Sequence, residues 1–216
     1  MAFRDPAMHF IQLSDGMLNG DSRLMDFLLL AARESDRRFF ELIRENVRDH
    51  EKVALRLILD DRSDLHGGLL AIDPSNGSFA GLMVSKPLRE VSLLQFHSLR
   101  EYSKAAVDPG KFRMAIKVFA SRKMPSLREH VHYLARLYIA KDYRGTGLSK
   151  QLISLMFMEG QKMGANTFGL HVDASNLQAI NLYRRTGFAL KAIVSPDHDY
   201  FYLERRGSQA ISSDVE

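Results

Sequence analysis

The residues able to do chemistry fall in the second half of the chain. Arg144-Gly145-Thr146-Gly147 is followed by Leu148, then by Leu152, Leu155 and Met156 at helical spacing, so a glycine turn feeds a helix start. Amides in such a turn can close on phosphate oxygens, and the helix dipole favours negative charge there. His171 lies on an apolar run from Thr167 to Val172, where alternation puts His171 and Asp173 on one face and Val172 on the other. Imidazole titrates near neutral pH and suits a general base, although a hydrogen-bonded structural histidine reads the same way. Asn176, Ala179 and Tyr183 share one face of a helical stretch spanning about 10.5 Å.

The glycine turn fits neither common nucleotide fingerprint. Gly145-Thr146-Gly147 continues as Leu148-Ser149-Lys150, without the Gly-Lys-Ser/Thr of a Walker loop or the third glycine of a dinucleotide fold. The run before it, with Tyr133, Leu134, Leu137, Tyr138 and Ile139, is apolar enough for a buried strand.

This strand, turn and helix resemble the Arg-x-x-Gly-x-Gly/Ala signature of the GNAT superfamily of N-acetyltransferases. Arg144, Gly147 and Ser149 fall on its defined positions, and Ser149 replaces the usual Gly or Ala with another small residue. Downstream, Gly169 to Asn176, then Ala179, Leu182-Tyr183 and Gly187-Phe188, resemble the family's closing strand and helix. The resemblance covers about residues 130–190. It implies an α/β fold of the α+β type: a mixed, mostly antiparallel sheet, splayed at the cofactor strand and flanked by helices on both faces.

The same resemblance implies acetyl-CoA as co-substrate and no metal. The pantetheine arm would pair with the backbone of Leu137, Tyr138 and Ile139. The pyrophosphate would sit on Arg144, Gly145, Thr146, Gly147, Leu148, Ser149 and Lys150. An N–H near Ile139 would polarise the thioester carbonyl. Tyr183 would protonate or hydrogen-bond the departing thiolate, and Asn176 would contact the cofactor arm, cap its helix, or do both. The acceptor would be a primary amine, on a small molecule or on a protein N-terminus or lysine. A lysine-like amine is neutral in only about one molecule in 10³ near pH 7, so a base is needed. His171 or a water chain would supply it, and transfer would be direct within a ternary complex.

Composition narrows the field further. The chain has 216 residues and no cysteine, which removes disulfides and a cysteine nucleophile and agrees with a cytoplasmic location. The start lacks the apolar run of a signal peptide, and no stretch reaches the ~18 apolar residues of a membrane span, so no membrane partner is expected. Net charge is +4, from 30 basic and 26 acidic residues. That excess suits a polyphosphate cofactor, and without a basic stripe no nucleic-acid partner is expected. The alternative from another class is a non-catalytic CoA-binding regulatory module.

Patterning elsewhere supplies the scaffold. It predicts a strand over His9–Leu13, helices carrying Leu24 to Ala31 and Phe39 to Val47, and a hairpin around Pro74-Ser75-Asn76-Gly77. Val53–Leu59 is apolar but open in type. A helix with Val91, Leu94, Leu99 and Tyr102 should end at Asp108-Pro109-Gly110, before a short element from Met114 to Ala120. Segment 86–130 is either an acceptor-site element or a structural insertion, with Lys111, Arg113, Lys117, Arg122 and Lys123 as candidate anion contacts. His130 and His132 are a bare i, i+2 metal pair, and Met156, Met158 and Met163 read as core. Residues 1–205 form the expected single domain, 206–216 an expected disordered tail, and a homodimer through the final strands stays open.

Overall fold

Asp21 caps the helix that follows it: its carboxylate accepts from the amides of Arg23 at 2.9 Å and Leu24 at 3.3 Å. The computed structural model describes residues 8–13, 17, 21–120, 130–193 and 200–207, with backbone alone at 115 and 117–120. Arg122 and Lys123 lie outside the described residues, as do Pro125, which would stop a helix, and Ser14-Asp15-Gly16, Asn19-Gly20 and Ser195-Pro196-Asp197, whose residue types favour turns. The tail from 208 lies outside them too.

In chain order the elements are β1 (His9–Gln12), α1 (Ser22–Ser35), α2 (Arg37–Asn46), α3 (His50–Leu59), β2 (Leu69–Asp73), β3 (Ser78–Pro87), α4 (Leu88–Lys104) and α5 (Pro109–Ala120). There follow β4 (Val131–Ile139), α6 (Leu148–Lys162), β5 (Thr167–Asp173), α7 (Leu177–Arg185), β6 (Ala189–Ile193) and β7 (Tyr200–Arg206). The ambiguous run Val53–Leu59 is helical, because Val53, Ala54, Leu57 and Ile58 bury one helical face.

Some sequence expectations are corrected. Asp108-Pro109-Gly110 begins a helix instead of ending one: α4 stops at Lys104 and α5 starts at Pro109. Asp108 accepts from the amides of Gly110 at 2.8 Å and Lys111 at 3.0 Å, and proline suits a first turn because it has no N–H to leave unsatisfied. Of the three methionines near α6 only Met156 is buried; Met158 and Met163 are 53% and 56% exposed, being off the face defined by Leu148, Leu152 and Ile153. The final strand outlasts the expected boundary, since Arg206 pairs with Thr167 and the Gly207 amide donates to Asn166 O at 2.8 Å.

The strands form one seven-stranded sheet in the order β1-β2-β3-β4-β5-β7-β6, antiparallel throughout except between β4 and β5. Helices α1 to α5 cover one face, where Leu70, Leu82, Val84 and Tyr138 meet Leu28, Ile43 and Leu57. Helices α6 and α7 cover the other, where Met83, Leu134, Phe168 and Leu170 meet Leu152, Met156 and Ile180. Burying each such leucine, isoleucine or phenylalanine contributes about 1.5–3 kcal/mol.

Helix α6 sits close to the sheet at Gly160, where a Cβ would fall 2.6 Å from Phe168 and 2.9 Å from His132. His132 is therefore held in an apolar interface rather than in a metal site, and its Nε2 finds no hydrogen-bond partner among the described residues. No group of metal-holding side chains occurs among the described residues. Burial pushes the His132 imidazole below its ordinary pKa, with the Glu90 charge pulling the other way. The unfolded chain accepts that proton as pH drops below about 6.5 while the folded chain resists it, so stability is lost as pH falls. Replacing His132→Leu should flatten the fall in Tm between pH 7 and pH 5; an unchanged slope would show that His132 is not its source.

Candidate active site

The site begins with a strand that carries one residue too many. β4 pairs with β3 as Val84↔Arg136 and then Ser85↔Leu134, leaving Ala135 unmatched. Such a bulge bends and twists its strand. β4 and β5 accordingly pair only through Val131–Leu134 and Thr167–Leu170, then diverge. The bulge also keeps Arg136 on the face that holds Tyr133, toward α1 and α4.

The gap between the diverging strands exposes main chain. Ala140 N donates to Ala80 O at 2.9 Å, so alternation turns the peptide groups of Tyr138 toward β3 and those of Leu137 and Ile139 into the gap. Of the three residues expected to pair with a pantetheine arm, Leu137 and Ile139 thus offer main-chain groups on the open side. Tyr138 instead buries its ring, edge-on to Phe27 at 5.6 Å. Arg144 Nε donates to Ile139 O at 3.1 Å and leaves the Ile139 N–H facing the gap.

A short 3-10 turn, Lys141–Tyr143, leads from β4 to the glycine run. The Tyr143 hydroxyl donates to Asp73 at 2.9 Å, and Asp73 also accepts from the Ser75 hydroxyl at 2.6 Å and amide at 2.9 Å. These donors, Ser75 foremost, hold the Asp73 carboxyl below its ordinary pKa. The β2–β3 hairpin therefore anchors the turn. Gly145 and Gly147 have φ of 84° and 89°, and a Cβ on either would meet nothing within 4 Å, so the space above the turn is open. None of the amides from Gly145 to Ser149 donates to another described residue. Helix α6 starts at Gly147 with no side-chain cap and no acid in its first turn. Thr146 Oγ1 donates to Tyr143 O at 2.8 Å, Leu148 is buried and offers only its amide, and Lys150 is exposed. Open amides, a positive helix pole and a nearby lysine fit a diphosphate.

A cavity of about 350 Å³ adjoins the gap. Its walls include Glu34 and Arg38 from the α1–α2 junction, Gln95 from α4, His171 and Asp173 from β5, and Tyr183 from α7. Tyr133 Oη lies 2.7 Å from His171 Nδ1, while His171 Nε2 is buried. Burial raises the Tyr183 phenol, which stays protonated through the neutral range. Asn176 Oδ1 accepts from the Ala179 amide at 3.0 Å and so caps α7. Beneath the cavity, buried Arg136 donates to Asp64 at 2.8 Å and to Ser35 at 3.3 Å, and Ser98 donates to Asp64 at 2.5 Å.

The cavity unites His171, Asn176 and Tyr183, singled out by sequence, with Tyr133, Arg38 and Arg136, which were not; Asp64 backs Arg136 from outside it. No signal in the sequence marks Tyr133, because the bulge after it and its contact with His171 exist only in the folded sheet.

The acetyltransferase (GNAT) family profile matches residues 29–188, well over half the chain. The chain belongs to this family. Its fold is shared with a solved acetyltransferase at a TM-score of 0.60 and 13% identity, over 92% of this chain and 98% of that one. The PaiA N-acetyltransferase from Thermoplasma acidophilum, solved in complex with coenzyme A, aligns at 0.54 and 15% identity, covering 93% and 99%. Ard1 from Thermoplasma volcanium aligns at 0.52 and 11% identity, covering 94% and 99%. No curated protein sequence matches the chain. The GNAT fold, a mixed sheet between helical layers, is thus the one the sequence resemblance implied.

Gly147 gives the turn a direct test. Gly147→Ala puts a side chain on left-handed backbone, at about 1–2 kcal/mol, beside the open amides. Coenzyme A affinity measured by calorimetry should fall roughly tenfold or more while the protein stays folded. Unchanged affinity would remove the turn from the binding site.

Proposed function

We propose that this GNAT protein is an acetyl-CoA-dependent N-acetyltransferase that uses Tyr133 and His171 together to take the proton of a primary amine. The observation carrying this reading is the juxtaposition of the β4–β5 gap, the open amides after Gly145, and the Tyr133–His171 contact. The coenzyme A complex of the Thermoplasma acidophilum relative supports the cofactor side.

Acetyl-CoA, when bound, supplies an acetyl group activated as a thioester. Leu137 and Ile139 would hold its arm through main-chain groups, and the amides from Gly145 to Ser149 its diphosphate. The Ile139 N–H, aimed into the gap, would steady charge on the carbonyl oxygen. On the acceptor side, the Tyr133 hydroxyl receives a proton from the ammonium and passes its own to His171 Nδ1. The path runs through Tyr133 because Nε2 is buried and Nδ1 faces the tyrosine. The freed amine forms the new C–N bond as the C–S bond breaks, and the second proton shed by its nitrogen ends on the departing sulfur, to which Tyr183 donates a hydrogen bond. With no cysteine in the chain, transfer is direct. Location in the cytoplasm is part of the same proposal.

Kinetics separate an enzyme from a module that only binds coenzyme A. His171→Ala and Tyr133→Phe should each lower kcat/KM by about 10²-fold or more, and Tyr183→Phe by about tenfold, with coenzyme A affinity retained. Thiol release across an amine panel that is unaltered in all of them would end this assignment of roles.

A further inference from the structure

The rim of the cleft holds a cation that belongs to the chain itself. Arg38, at the start of α2, reaches across to the end of β5. Its Nε pairs with Asp173 Oδ2, its Nη2 lies 3.4 Å from Oδ1, and its guanidinium stands 5.9 Å from the centre of the Tyr200 ring. A carboxylate beside an aromatic face is the chemistry that recognises an organic cation.

Asp173 divides its work between its oxygens. Oδ1 accepts from the Ser175 amide at 2.7 Å and hydroxyl at 2.6 Å, shaping the turn into α7, and Oδ2 faces the cation. The side chains of Arg38 and Asp173 are 39% and 22% exposed, so the pair is partly hydrated and a soluble cation can compete for the carboxylate. The other charges at the cleft agree. Arg37 is paired with Glu41 and Arg136 with Asp64, whereas Glu34 has no ion partner among the described residues. A cationic acceptor therefore meets an uncompensated carboxylate, and an anionic one meets no uncompensated arginine.

We propose that Asp173 and Tyr200 form a cation subsite for the acceptor, held by Arg38 until substrate arrives, and that the acceptor is an alkyl diamine. This deepens, and rests on, the transferase function proposed above. One amine would react beside Tyr133 and His171 while the second, still an ammonium, replaces Arg38 at Asp173. His171 and Asp173 are two residues apart on one strand face, about 6.8 Å, which suits a spacer of about four or five methylenes. Arg38 then acts as a built-in competitor that sets the threshold for acceptor binding.

The test measures thiol release from acetyl-CoA with 1,4-diaminobutane, 1,5-diaminopentane and the monoamines of equal length. Calorimetric titration of the same amines into the protein without acetyl-CoA gives a second readout. The diamines should show KM and Kd at least about tenfold below the monoamines, a margin set by one ammonium–carboxylate contact. Arg38→Ala should widen that ratio by removing the competitor, and Asp173→Asn, which keeps the Oδ1 turn, should collapse it toward one. Equal constants for diamines and monoamines, or an Arg38→Ala ratio that narrows, would overturn the subsite while leaving an N-acetyltransferase. Absence of thiol release with every amine, despite coenzyme A binding, would overturn both.

Discussion

The unmatched residue Ala135 is the constraint on which the site depends. A parallel pair buried between two helical layers would ordinarily bond along its full length, because orphaned peptide groups in a sheet interior are costly. Here the bulge turns β4 away after Leu134, and β7 continues alongside β5 to Asp173. The main-chain groups of Leu137 and Ile139 are left pointing into the gap. The divergence opens a slot at mid-sheet whose walls are hydrogen-bonding groups in a fixed order, a demand that an extended polar ligand meets better than a side chain does.

Alternation then sorts the chemistry by face. On β5, Phe168, Leu170 and Val172 pack beneath α6 and α7, and His171 and Asp173 turn toward the layer of α1 to α5. On β4 the bulge breaks strict alternation, so Tyr133 and Arg136 share that same layer despite a separation of three. The groups proposed to handle the acceptor's proton and charge are thereby collected on one side of the sheet, while Tyr183 approaches from α7 on the other. Helix α6, whose N-terminus presents the open amides, packs on that other side as well. On the function proposed above, a diphosphate and the acceptor's charge would be kept apart by the thickness of the sheet.

What the sequence revealed was local. Turn, helix start and strand period are properties of neighbouring residues, so the Gly145-Thr146-Gly147 turn, the hairpin at Asn76-Gly77 and the strand holding His171 could be read directly. What it hid was joined across long stretches of chain: Tyr133 to His171 over 38 residues, Tyr143 to Asp73 over 70, Arg38 to Asp173 over 135. No periodicity encodes such contacts. The error at Asp108-Pro109-Gly110 has a different origin: proline and glycine suggest a stop, but an aspartate cap followed by proline in the first turn is a local start signal, as the bonds from the Gly110 and Lys111 amides show.

The hidden contacts also explain how distant segments are kept in register with the gap. Tyr143 fastens the glycine turn to the β2–β3 hairpin, so the open amides are held in register with the antiparallel half of the sheet. Arg136, with Asp64 and Ser98, fastens the bulge to α4 and to the loop before β2. Nearly full burial makes that ion pair expensive to break, since removing one partner strands a charge in a dry interior. The Arg38–Asp173 pair is similar chemistry placed at the rim, where water lowers the cost of exchange. The difference in burial between these pairs is therefore a difference in role: the buried one fixes the wall of the cleft, and the exposed one can yield to a cation arriving from solution.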